Sequence, residues 1–363
     1  MIKLCSLITF FFFLSGCIMS TPDFDEMEWQ NLAGHTDPAM LYAPHIKDGI
    51  FFNPWMPMDR GGFGRLLKWK FSSKDEYTDE EKSFRPTVLP NLLKRIEKMP
   101  GEDFITWIGH STFLIRVNGE YWLTDPMFSD RALLPKRTTA PTLSLEEIKG
   151  LNGKLNIIIS HNHYDHLDAA SLRGLPEDAR VFVPLGLKGF VEGLNKRYVK
   201  EVDWWDSLEL GNGVKIVCLP VQHWSRRIFQ SMNTTLWAGF LLITPKVTIY
   251  YGGDSGYFIG FKEIGRVYPG IDYALLPIGA YRPRWFMHYA HMDTREVLQA
   301  YEDLGAKYFI PTQWGAFQLG DEPVGYPVLD LKRTMKESSF DSTRAIILDP
   351  GQIYRLTEKT RVK

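Results

Sequence analysis

Apolar residues along this chain fall into three stretches of different texture. Lys3 is followed by an apolar run over residues 4–14, interrupted only by Ser6 and Thr9. Spanning a membrane takes about 20 such residues. A basic start, a short apolar run and small residues after it describe an export signal instead. Residues 18 to about 100 show no sustained period, because Pro22, Pro38, Pro44, Pro54, Pro57, Pro86 and Pro90 interrupt them. Within them, residues 75–82 are charged enough to read as solvated surface. From Phe104 the texture changes to short blocks rich in β-branched and aromatic residues. Residues 104–117, 120–124, 154–160, 179–183, 214–219, 237–243 and 247–251 read as strands. Residues 294–304 read as a helix capped by Asp293. Strands and helices interleave without a regular βαβ period, which predicts an α/β sandwich and not a doubly wound sheet.

Composition and charge narrow the class. Lys and Arg number 42 against 43 Asp and Glu, a net charge of −1. Nothing in that balance supplies the basic surface that phosphate backbones require, so no nucleic-acid partner is expected. Hydrophobic residues at 44% exclude a chain that is disordered overall. Three cysteines exclude a disulfide framework. The tetrad Leu14-Ser15-Gly16-Cys17 resembles the bacterial lipobox, after which the cysteine becomes the lipidated first residue. Residues 1–16 are then a lipoprotein signal peptide, and Cys17 anchors the chain to a membrane of the bacterial cell envelope, on its periplasmic face. Cleavage removes Cys5, leaving Cys218 as a small buried hydrophobe in a strand. Residues 17–100 form an N-terminal extension packing on the core, and residues 101–357 the main domain.

The strand pattern ending at Ser160 runs directly into His161-Asn162-His163-Tyr164-Asp165-His166. Four potential ligands in six residues is an extreme density. At a strand end, the i, i+2 spacing of His161 and His163 can aim both imidazoles the same way, while Asp165 and His166 serve a neighbouring position. Imidazole nitrogen and carboxylate oxygen are the usual zinc ligands where cysteine is absent. Further candidates follow other strands: His223 after 214–219, and Asp254 after 247–251, flanked by Gly252, Gly253 and Gly256. These glycines permit the tight turn that would send Asp254 inward.

The motif His161-x-His163-x-Asp165-His166, with His223 and Asp254 behind it, resembles the metallo-β-lactamase fold superfamily. Asn53-Pro54-Trp55, Thr106-Trp107-Ile108-Gly109-His110, Leu123-Thr124-Asp125-Pro126, Asp203-Trp204-Trp205, Gly253-Asp254-Ser255-Gly256-Tyr257 and the aromatic-rich segment from Pro277 to Met287 carry the likeness further. Over about residues 52–317 they are similar to N-acylphosphatidylethanolamine-hydrolysing phospholipase D and its bacterial relatives. The resemblance implies an αββα metallo-β-lactamase sandwich with an irregular N-terminal extension. It implies that His161, His163 and His223 hold a first zinc, that Asp165 and His166 hold a second, and that Asp254 bridges them. It further implies a metal-bound hydroxide attacking an amphiphilic phospholipid of the N-acylphosphatidylethanolamine type, with Asp165 orienting the water and His291 supporting the reaction nearby. Asp125 would accept a hydrogen bond from a ligand imidazole. His110 is either such a supporting group or a satisfied buried histidine, and His35 and His45 are structural.

Two departures stand out. Arg282 occupies a position that is acidic in the eukaryotic phospholipase, which implies a different headgroup preference. Gln313 stands where eukaryotic members carry a last histidine ligand, before Trp314-Gly315-Ala316-Phe317. A neutral amide oxygen is a weaker zinc ligand than imidazole, so the second metal should be labile or a different divalent ion, beside one tight zinc. Trp29, Phe51, Phe52, Trp55, Trp69, Tyr281, Trp285, Phe286, Met287 and Tyr289 either seal one edge of the sandwich or form an apolar, membrane-facing groove for acyl chains. Alternative functions are a lactonase or other metallo-hydrolase of the same fold, or a non-catalytic envelope protein with a degenerate site. The intact ligand set argues against the last.

Overall fold

The computed structural model describes residues 24–58 and 62–356; the export-signal run, Cys5 and Cys17 lie outside them. A small hairpin, β1 (Ile46–Lys47) and β2 (Ile50–Phe51), comes first. Next are β3 (Phe104–Gly109), β4 (Thr112–Val117), β5 (Glu120–Thr124), β6 (Leu155–Ile158), β7 (Arg180–Pro184) and β8 (Tyr198–Val202). A second group comprises β9 (Ser207–Gly211), β10 (Val214–Leu219), β11 (Gly239–Ile243), β12 (Thr248–Tyr251), β13 (Tyr273–Pro277) and β14 (Tyr308–Thr312), and β15 (Ile353–Arg355) ends the series. One sheet has the order β15-β3-β4-β5-β6-β7-β8 and the other β14-β13-β12-β11-β10-β9.

Both sheets are built on one plan. Strands β3 to β5 and β9 to β12 pair antiparallel, whereas β5 to β8 and β12 to β14 pair parallel. Parallel neighbours need a crossover. Helices Leu145–Lys149, Ala169–Gly174 and Lys188–Glu192 supply it in the first sheet, and Gly260–Val267 and Thr294–Leu304 in the second.

Side-chain alternation decides the layers. In the first sheet Leu114, Leu123, Ile157 and Val181 join a core with Ile148, Leu172 and Val191 of the covering helices. Their neighbours Ile115, Trp122, Ile158 and Phe182 join the larger core, with Cys218, Phe240 and Ile249 of the second sheet. Val297, Tyr301 and Leu304 extend that core to the helix covering the far side. The layers are therefore αββα, as the resemblance implied.

Three differences from the sequence reading have local causes. Residues 104–117 are two strands, because Gly109 and His110 take left-handed backbone and reverse the chain between β3 and β4. Strands β8, β9, β13, β14 and β15 escaped the pattern: β8 and β9 carry exposed charges, and the short apolar runs of β13 and β14 carry no alternation. The N-terminal extension is not irregular throughout. Helices Glu26–Gly34, Gly62–Phe71, Asp79–Ser83 and Leu92–Glu97 fit between the prolines, which limit their length without preventing them. Asp79–Ser83 is exposed, as its charge suggests, and is held by a capping box between Thr78 and Glu81. The extension is built into the main core through Trp29, Leu41, Phe51, Trp55 and Met56. Among the described residues no helix is long and apolar enough to cross a membrane.

Candidate metal centre

Strand ends gather the candidate ligands at one edge of the sandwich. His161, His163, Asp165 and His166 follow β6, His223 follows β10, Asp254 follows β12 and Gln313 follows β14. His110 occupies the reversal between β3 and β4, and Asp125 immediately follows β5. Gly253 makes the approach of Asp254 possible: it has left-handed backbone, and a Cβ there would lie 2.6 Å from that of Ser160.

The side chains converge as two adjoining groups. His161 Nε2 and His223 Nε2 lie 2.8 Å and 3.2 Å from His163 Nδ1. Beside them, His166 Nε2 lies 3.1 Å from Asp165 Oδ2 and 3.2 Å from Asp254 Oδ2. Asp254 Oδ2 is also 3.9 Å from His223 Nε2 and 4.0 Å from His291 Nδ1, which places it between the groups. His110 Nε2 meets Asp165 Oδ2 at 2.9 Å.

Partners behind the imidazoles set their tautomers. His166 Nδ1 donates to Asp125 Oδ2 at 2.6 Å, and His223 Nδ1 donates to the Ala290 carbonyl at 3.1 Å. Ser160 Oγ gives its proton to Asp125 and accepts from His161 Nδ1 at 2.9 Å. His161 and His223 therefore turn an unprotonated Nε2 towards the cluster, and His166 turns its Nε2 to Asp165 and Asp254. Burial keeps His161, His163 and His223 neutral: it pushes His161 and His223 well below the usual histidine range and His163 to about 4.

The carboxylates are held in the opposite sense. Burial would raise Asp165 and Asp254, but neighbouring His166, aided by hydrogen bonds, holds both well below the ordinary range. Burial would also lower His166, yet Asp254, Asp165 and Asp125 carry it well above. The pocket thus demands positive charge. Buried polar atoms are rarely unpaired, but His166 Nε2, Asp254 Oδ1, His291 Nδ1 and Gln313 Oε1 make no hydrogen bond. Imidazoles and carboxylates fall into overlapping groups of three, the ligand atoms of each group lying within 4.8 Å of one another, which is a donor set that fits divalent cations.

Residues 121–314 match the family model described as a beta-lactamase superfamily domain. The chain belongs to the metallo-β-lactamase superfamily. N-acyl-phosphatidylethanolamine-hydrolyzing phospholipase D 1 of Caenorhabditis elegans is 33% identical over 352 residues, covering 88% of this chain and 96% of that protein. An uncharacterized protein of Mycobacterium tuberculosis (strain ATCC 25618 / H37Rv) is 31% identical over 352 residues, covering 89% of this chain and 91% of its own length. The crystal structure of a possible metal-dependent hydrolase from Veillonella parvula superposes with a TM-score of 0.59 at 14% identity, over 70% of this chain and 100% of that one. At that identity the likeness shows the fold. The chain is accordingly a metallo-hydrolase of the β-lactamase fold.

Within this superfamily member, every ligand candidate read from sequence lies in or against the cluster. Gln313 donates from Nε2 to Asp254 Oδ2 at 2.6 Å, leaving Oε1 buried and unpaired. Asp125 is the supporting acceptor that the resemblance implied. His110 is both alternatives at once, fully buried and holding Asp165. His45 pairs with Asp203 at 2.8 Å, and His35 caps a helix end, so both are structural. Arg282 lies 3.6 Å from Asp75 and beside the Tyr281 ring.

The aromatic set divides the way a sealed edge would. Trp29, Phe51, Trp55, Tyr281, Trp285, Met287 and Tyr289 are buried, and Phe52, Trp69 and Phe286 partly so. Sequence reasoning missed Ser160, Tyr251 and Arg284. Tyr251 donates its hydroxyl to Asp125 across the two sheets at 2.5 Å. Arg284 donates to the His291 carbonyl at 3.0 Å and pairs with Glu296 at 2.8 Å, which fixes the segment carrying His291. No motif marks any of the three, since what each does depends on partners that only the fold brings to it.

Proposed function

We propose that this chain is a zinc-dependent phosphodiesterase hydrolysing phospholipids of the N-acylphosphatidylethanolamine type. The observation that carries the reading is the 33% identity to the worm phospholipase over 88% of the chain, which extends the likeness beyond the superfamily domain. His161, His163 and His223 would hold one zinc. Asp165, His166 and Gln313 would hold a second cation, with Asp254 shared. When bound, these cations supply Lewis acidity, easing deprotonation of water and offsetting charge that develops on phosphoryl oxygens.

The chain's own residues then do the rest. Asp165, anionic and pinned by His110, orients the attacking water. His291 Nδ1, kept neutral by burial, is the unpaired acceptor that can take a proton and return it to the leaving alkoxide. Water oxygen adds to phosphorus as the bond from phosphorus to the N-acylethanolamine oxygen breaks. A lipid on Cys17 would hold the enzyme on an envelope membrane beside its substrate, and mass spectrometry of Cys17 from membrane fractions tests this. The decisive comparison assays one preparation for N-acylethanolamine release from N-acylphosphatidylethanolamine and for opening of acyl lactones. Lactone opening without phospholipid cleavage would replace this reading with a lactonase.

A further inference from the structure

The segment that carries His291 has two different sides. Its inner side lies on the loops that hold the ligand candidates. Gln222 Nε2 donates to the Tyr289 carbonyl at 3.0 Å, and the Ala290 carbonyl is the partner of His223 Nδ1. The Met292 amide donates to the Ser255 carbonyl at 3.2 Å. Contact is so close that a Cβ on Gly256 would lie 2.1 Å from the Tyr289 carbonyl oxygen. A shift of this segment therefore moves His291 against the cluster and takes the acceptor of His223 with it.

The outer side is covered by the first helix of the extension, Glu26–Gly34. Asp25 caps that helix by accepting from the Met27 and Glu28 amides, and Trp29 and Ala33 form its buried face. The His288 ring meets both Phe24 and Trp29, each with ring centres 4.4 Å away. Trp29 Nε1 also donates to Glu296 Oε1 at 3.0 Å.

Arg284 joins this helix to His291. Its Nε donates to Glu26 Oε2 at 3.1 Å and its Nη2 to Glu26 Oε1 at 2.9 Å. Nη2 also meets Glu296 Oε2 at 2.8 Å, and Nη1 donates to the His291 carbonyl at 3.0 Å. All three nitrogens of the buried guanidinium are thus occupied. A planar fork engaged through two nitrogens by one carboxylate is fixed in orientation as well as in place. Glu26 is the carboxylate that engages two, so it sets the direction in which Nη1 reaches the His291 carbonyl.

We infer that Glu26 is a positioning residue for His291, acting through Arg284, and that the first helix of the extension is thereby a working part of the site. The role rests on His291 serving as the proton carrier proposed for this reaction. Such a group is sensitive to placement, because a displacement of about 1 Å can cost on the order of a hundredfold in rate.

Glu26→Ala in the full chain tests the role, with Glu28→Ala, exposed on the same helical turn, as the control. Amide hydrogen exchange over residues 284–292 should quicken in Glu26→Ala at unchanged metal content, and should not change in Glu28→Ala. On N-acylphosphatidylethanolamine, kcat of Glu26→Ala should fall about tenfold or more with KM unchanged. The fall should be smaller on phosphatidyl-p-nitrophenol, whose nitrophenolate leaves without needing a proton. In a His291→Ala background, Glu26→Ala should cost nothing further. Unchanged exchange, equal losses on the two substrates, or a loss that adds in full to that of His291→Ala would each overturn the positioning role. An unsubstituted chain that cleaves neither phospholipid would overturn the substrate reading instead, and exchange would then decide alone whether Glu26 holds the segment.

Discussion

Replacing Asp125 by Asn removes one negative charge from the middle of the site with almost no change in shape. Asp125 is fully buried and accepts from Ser160 N at 2.7 Å, Ser160 Oγ at 2.5 Å, His166 Nδ1 at 2.6 Å and Tyr251 OH at 2.5 Å. An amide keeps one acceptor oxygen, which suffices for the Ser160 amide, and presents an NH2 to the other three donors. Tyr251 has a second acceptor in the Ser111 carbonyl at 3.4 Å, and the serine hydroxyl can rotate. His166 has no such freedom. Its proton must move from Nδ1 to Nε2, the atom that faces Asp165 and Asp254. Losing hydrogen bonds to a charged acceptor should cost about 2–4 kcal/mol of stability. Losing the tautomer should weaken the second metal about 10–100-fold. The first metal should change by less, since His223 has its own partner in Ala290. Calorimetric metal titration of the dialysed variant, with circular dichroism to establish the fold, separates these effects. Wild-type affinity at both sites would refute the tautomer argument, and equal weakening at both would show that Asp125 does not act through His166.

Gln313→His should raise occupancy of the second site, read by metal analysis after dialysis; two equally tight metals in the unsubstituted chain would show that the amide is no handicap. Arg284→Met should destabilise the protein by about 1–3 kcal/mol, because Glu26, Glu296 and the His291 carbonyl lose their donor while burial, which already raises the Glu296 carboxyl to about 8, keeps that group protonated; an unchanged denaturation midpoint would refute this. Burial lifts the Glu322 carboxyl from 4.5 to about 7, against hydrogen bonds from the Tyr281 and Arg282 amides. The folded state therefore holds a proton that the unfolded state has lost, so this contribution is complete below about pH 4.5 and disappears as pH rises through 7. The loss should amount to about 3 kcal/mol at most, and Glu322→Gln should flatten the slope of unfolding free energy between pH 5 and 8.

The histidine cluster could be read directly because four potential ligands crowd into six residues at a strand end, a density that folding alone does not require. His223, Asp254 and Asp125 were legible for a related reason: each follows an apolar strand, and strand ends in a sandwich share an edge. Ser160, Tyr251 and Arg284 were not, because their roles consist of contacts that only the folded chain makes: Ser160 and Tyr251 with Asp125 at the end of another strand, and Arg284 with Glu26, far away in sequence. The parallel strands β13 and β14 are buried but for the partly exposed Tyr308 and so carry no alternation that would separate them from a helix. The aromatic set was ambiguous because size and apolarity suit a sealed edge and a lipid groove equally, and only burial distinguishes them.

In the proposed reaction the converging His161, His163 and His223 nitrogens hold a cation on which phospholipid hydrolysis depends. That dependence is tested most directly by following N-acylethanolamine release from N-acylphosphatidylethanolamine while zinc is returned to chelator-stripped protein, with His163→Ala in parallel. No release is expected without metal, with recovery as the first equivalent binds, and no recovery in His163→Ala although its circular dichroism remains native. Wild-type turnover by folded His163→Ala under limiting zinc, or by the stripped protein itself, would contradict it.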